Sequence, residues 1–104
     1  MATVKTLKYF ANGEWLESKS EKYMDIHNPS TGEVIARTPC CTVDEVEQAV
    51  QSAKEAFKTW SQTPVMKRTQ VLYKFRELLV EHMDELATLC AVEHGKVFNE
   101  AKGD

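Results

Sequence analysis

The sequence predicts an α+β fold: two N-terminal β-hairpins, then three packed helices and the start of a fourth. Three observations carry this. An Asn12-Gly13 pair sits between two short runs rich in apolar residues. A second turn signal, Asn28-Pro29-Ser30-Thr31-Gly32, lies between two further strand-like runs. From Val43 onward the apolar residues recur at helical spacing instead.

Asn12-Gly13 suits a type I′ turn, which needs positive φ at both central residues. A two-residue loop there pairs Ala11 with Glu14, Phe10 with Trp15 and Tyr9 with Leu16. Both faces of the ribbon then carry large apolar groups, and such a ribbon is marginal unless other structure covers it. Residues 18–22 form a polar connector. The second hairpin has arms 23–27 and 33–37, with Pro29 fixing φ early in its turn and Gly32 taking the left-handed position. Pro39 is expected to stop the second arm, because it has no N–H for the ladder.

The first helix starts at a capping box, with Thr42 over the N–H of Glu45 and Glu45 reaching back. Val43, Val46, Ala49, Val50, Ala53, Phe57 and Trp60 give it one apolar stripe. After the break at residues 61–63, the second helix is expected to take Thr63 as its N-cap and Pro64 as its first residue. Val65, Thr69, Leu72, Phe75 and Leu79 mark its stripe. Met83-Asp84 reads as a short joint, the third helix ends at Gly95, and residues 97–104 open a fourth. Residues 43–60 carry four acids and two bases, whereas residues 64–82 carry four bases and two acids. The opposite signs favour pairing of neighbouring helices, with the apolar stripes supplying most of the packing.

Composition narrows the function classes. The 104 residues include 13 Lys plus Arg against 16 Asp plus Glu, for a net charge of −3. With 42% hydrophobic and 28% charged residues but only 4 Gly and 3 Pro, collagen-like and disordered classes are excluded. A chain of this length forms one domain and is expected to bury a core without metal or disulfide staples. Mild acidity argues against a nucleic-acid partner. No apolar run approaches the ~20 residues of a membrane span, and the first residues lack a signal-peptide stretch. Three cysteines without C-x-x-C spacing point to a reducing cytoplasm. The length is too small for an enzyme with separate cofactor and substrate domains.

The chemistry-bearing residues form no visible site. His27 is on a strand arm, while His82 and His94 fall near helix ends, where imidazolium suits the dipole. Cys40-Cys41 lies close to a helix N-terminus, but no base is visible in sequence to activate a thiolate. Cys90 sits on an apolar helical face and reads as core. Glu45 with Glu47, and Asp84 with Glu85, read as solvated first-turn acids. Lys67-Arg68 stands early in its helix against the dipole preference and reads as an exposed face, with an acidic neighbour as the alternative. Phosphate-binding glycine motifs are absent from the sequence. No catalytic, cofactor-binding or metal-binding residue is assigned.

The order of motifs carries more. Asn12-Gly13-Glu14-Trp15 comes first, then Asn28-Pro29-Ser30-Thr31-Gly32-Glu33-Val34-Ile35-Ala36. Ala49, Ala53, Ala56-Phe57-Lys58-Thr59-Trp60 and finally Glu93-His94-Gly95-Lys96 follow. Together they resemble the N-terminal segment of the aldehyde dehydrogenase superfamily over nearly all of residues 8–104. The stretch from Lys58-Thr59-Trp60-Ser61 through Lys67-Arg68 to Leu79 resembles the methylmalonate-semialdehyde dehydrogenases. Those enzymes use NAD and coenzyme A to convert methylmalonate or malonate semialdehyde to an acyl-CoA.

The resemblance implies that residues 1–104 are the leading part of a longer, homo-oligomeric enzyme and belong to its cofactor-binding domain. It also implies that the nucleophilic cysteine, its supporting asparagine and the glycine-rich cofactor turn lie downstream. Cys40, Cys41 and Cys90 therefore do not inherit the nucleophile's role. Alone, the chain is expected to be inactive, to bind neither cofactor and to self-associate through uncovered apolar stripes. Ile26 and Asp104 fall roughly where some relatives hold a monovalent cation. The alternative is a stand-alone interaction module that binds dehydrogenase subunits or another protein. An uncapped last helix after Ala101 argues against that module.

Overall fold

The computed structural model describes residues 3–104; Met1 and Ala2 fall outside the described residues. The elements are β1 (Lys5–Thr6), β2 (Tyr9–Ala11), β3 (Glu14–Leu16), β4 (Tyr23–His27) and β5 (Val34–Pro39), followed by α1 (Val43–Trp60), α2 (Val65–Glu81), α3 (Met83–His94) and α4 (Phe98–Ala101). They fall into two compact units. One comprises the residues up to His27 with Glu33–Ser61, the other Asn28–Gly32 with Gln62–Asp104.

In the first unit, β2 and β3 pair antiparallel as Tyr9 with Leu16, Phe10 with Trp15 and Ala11 with Glu14. Asn12 has φ 52° and Gly13 φ 76°, both positive as the turn requires. The Phe10 and Trp15 rings meet edge to face at 5.1 Å. Asn12 also accepts a hydrogen bond at Oδ1 from Ser52 Oγ, 3.0 Å away, which ties the turn to α1.

A second sheet has the order β1-β5-β4. The antiparallel β4–β5 pair matches the expected hairpin, with an irregularity between Ile26 and His27. Two features differ from expectation. Strand β1, part of no predicted hairpin, runs parallel to β5 with Lys5 beside Ala36 and Thr6 beside Arg37. Strand β5 also continues through Pro39, opposite Tyr23. The next donor is supplied by Cys40, whose N–H reaches the Lys22 carbonyl at 2.9 Å. Proline therefore occupies the last strand position, where its missing donor is tolerated.

Helix α1 begins at the predicted capping box, with both reciprocal hydrogen bonds formed. In the second unit, α2 begins one residue later than expected. Pro64 is extended at φ −54°, ψ 142° and acts as the N-cap. Its carbonyl accepts from the N–H groups of Lys67 and Arg68 at 3.0 and 3.1 Å. A missing N–H is harmless at either position, so the sequence alone does not separate them. The joint between α2 and α3 is the single residue His82, not Met83-Asp84; its φ −99° and ψ 17° interrupt the helix.

Gly95 ends α3 at φ 76°, in the left-handed conformation expected of it. An added Cβ there would lie 3.2 Å from Pro29 Cγ, so the Asn28–Gly32 turn closes against this helix end. Asn28 builds that turn by accepting from Ser30 N–H at Oδ1 (2.9 Å) and from Gly32 N–H at its carbonyl (2.7 Å).

The expected core is thin. Among the described residues, the buried apolar ones are Ala87 and Ala101, and no large side chain is fully buried. Val46, Val50, Phe57, Leu72 and Phe75 are exposed on the helical stripes. Amphipathic patterning thus specified the helices while leaving their apolar faces uncovered.

Candidate functional site

Two polar clusters stand out, one in each unit. The first surrounds Glu45, which is only 7% exposed. Its Oε1 accepts from Ser18 Oγ at 2.7 Å and from Thr42 N–H at 3.1 Å. Its own N–H donates to Thr42 Oγ1 at 3.2 Å. The second oxygen, Oε2, is buried without a hydrogen-bond partner. The Ser18 hydroxyl is the main influence holding this carboxyl below its ordinary value of 4.5; burial opposes it, and the Thr42 and Lys19 backbones assist. Tyr9 is shifted the other way, upward, by burial first and then by the charges of Glu45 and Cys41. Tyr9, Cys41 and Glu45 share a largely apolar cavity of about 360 Å³ with Val46, Ala49, Val50 and Ala53.

These shifts decide what the cluster can do. A carboxylate held below its ordinary value is a weak base, so Glu45 acts as an electrostatic clamp between the residue 18–20 connector and the start of α1. Its depressed pKa contributes stability that is complete above about 4.5 and is lost as pH falls through the folded value. Ser18→Ala is expected to move the Glu45 titration upward toward 4.5, and carboxyl ¹³C NMR across pH 2–7 reads it. An unmoved titration would remove Ser18 from this role.

In the second unit, Lys96 Nζ pairs with Asp104 Oδ2, and the Cys90 thiol lies 3.6 Å from the same oxygen. The hydrogen bond with Asp104 raises the Lys96 pKa, and its counterpart lowers that of Asp104. Lys96 is therefore firmly protonated and a poor nucleophile at neutral pH. Lys102 Nζ is 2.9 Å from Asp84 Oδ1 and 5.0 Å from the Phe98 ring centre.

The residues singled out in the sequence are scattered. His82 Nδ1 lies 3.0 Å from Glu85 Oε2, His94 occupies the last turn of α3 and His27 ends β4. Cys40 is exposed and Cys41 half-buried. Cys90 is half-buried beside Asp104, which corrects its reading as core. Glu45 is buried rather than solvated, because Ser18 supplies a donor from 27 residues away. Glu47 accepts from Gln51 Nε2 at 3.2 Å. Arg68 Nε is buried without a hydrogen-bond partner. Asp104 is engaged by Lys96, and Ile26 pairs with Ala36 in the sheet. Among the described residues, no three His, Cys, Asp or Glu side chains converge as a metal site, and no helix is long and apolar enough to cross a membrane.

Comparison with known proteins supplies what the clusters do not. Residues 15–104 match the sequence profile of the Aldehyde dehydrogenase family. The chain belongs to the aldehyde dehydrogenase family. Malonate-semialdehyde dehydrogenase 2 of Oceanobacillus iheyensis is 51% identical over 102 residues, which cover 98% of this chain and 21% of that protein. A Sinorhizobium meliloti structure assigned as a methylmalonate-semialdehyde dehydrogenase, solved with NAD, superposes with TM-score 0.94 at 35% identity. It covers 99% of this chain and 21% of its own. The methylmalonate-semialdehyde dehydrogenase of Oceanimonas doudoroffii gives TM-score 0.90 at 37% identity, covering 96% and 20% of the two chains.

This aldehyde dehydrogenase chain thus spans about a fifth of the length of its relatives. A dinucleotide cradle needs a glycine-rich turn opening from a strand into a helix. Gly13 and Gly32 lie in strand-to-strand turns, and an added Cβ at either meets nothing within 4 Å. Gly95 follows a helix and Gly103 lies beyond α4. Among the described residues, no glycine stands at a strand-to-helix turn of that kind.

Proposed function

We propose that this chain is the leading segment of an NAD-dependent, coenzyme A-acylating malonate- or methylmalonate-semialdehyde dehydrogenase. The observation that carries the reading is the 51% identity to a malonate-semialdehyde dehydrogenase across 98% of the chain. The structural similarity to methylmalonate-semialdehyde dehydrogenases supports the substrate class, and the relative solved with NAD supports the cofactor. Coenzyme A use rests on the sequence resemblance. In this reading the segment is scaffold. Its capped α1, two hairpins and Gly95 closure support chemistry performed by residues outside it, in a cytoplasmic homo-oligomer whose remaining chain covers the apolar stripes. The segment alone has no turnover.

An antibody raised to this segment and used on a denaturing blot of the source cells tests the reading. A band about five times heavier than 11.8 kDa is expected, given the 21% coverage of the relatives. A single band near 11.8 kDa would favour the stand-alone interaction module instead.

A further inference from the structure

We draw no further inference here: the strongest candidate, the apolar cavity beside the buried Glu45 carboxylate in the first unit, is walled by the exposed stripe of α1, and nothing in the structure shows what covers it.

Discussion

Gly95→Val is expected to destabilise the chain by about 2–3 kcal/mol and lower its thermal midpoint by roughly 10–20 °C. Gly95 leaves α3 at φ 76°, a region costly for any side chain and most costly for a β-branched one. Space adds a second penalty. A Cβ would stand 3.2 Å from Pro29 Cγ and 3.9 Å from Ser30 Oγ, so the Asn28–Gly32 turn would have to retreat. Retreat strains the bonds by which Asn28 holds Ser30 and Gly32. Gly32 separates the two contributions, since it has φ 78° but nothing within 4 Å of an added Cβ. Gly32→Ala therefore incurs only the backbone penalty of ~1–2 kcal/mol, and Gly95→Ala should exceed it. Thermal unfolding followed at 222 nm measures all three. A Gly95→Val chain that melts with the parent would show that this closure contributes nothing.

How much of this was legible in the sequence follows from how local each interaction is. Asn12-Gly13 set the turn and therefore the whole β2–β3 register, because two residues determine a type I′ hairpin. Thr42 and Glu45 likewise announced the start of α1 across three positions. Strand β1 was hidden: two polar residues between Val4 and Leu7 are too few to show an alternation, and their partners in β5 lie 31 positions away. The His82 joint had no glycine or proline to mark it.

The clusters were lost for the same reason. Glu45 reads as an ordinary capping acid until Ser18 and the Tyr9 cavity close around it. Cys90 looked apolar by its helical neighbours, whereas its actual contact, Asp104, arrives from beyond α4. Family membership, by contrast, was legible because it depends on several short motifs occurring in order. Thin burial also makes sense in that light. Patterning reports which faces are apolar, and nothing local reports what covers them.

The most direct functional expectation concerns a transplanted enzyme. Substituting this chain for the matching leading fifth of the Oceanobacillus iheyensis relative preserves about half the side chains. The fold is expected to transfer with them, since relatives at 35–37% identity already superpose closely. The catalytic residues in this reading all come from the recipient, while α1, the hairpins and the Gly95 closure come from this chain. Activity should therefore survive within about tenfold, a barrier change of ~1.4 kcal/mol. Gly95→Val in the same hybrid should reduce the yield of folded enzyme rather than alter the chemistry of what folds. The decisive measurement is NADH formation by the purified hybrid with malonate semialdehyde and NAD, with and without coenzyme A. The account predicts NADH formation that depends on both the semialdehyde and coenzyme A. A soluble, folded hybrid that forms no NADH, or forms it equally without coenzyme A, would contradict it.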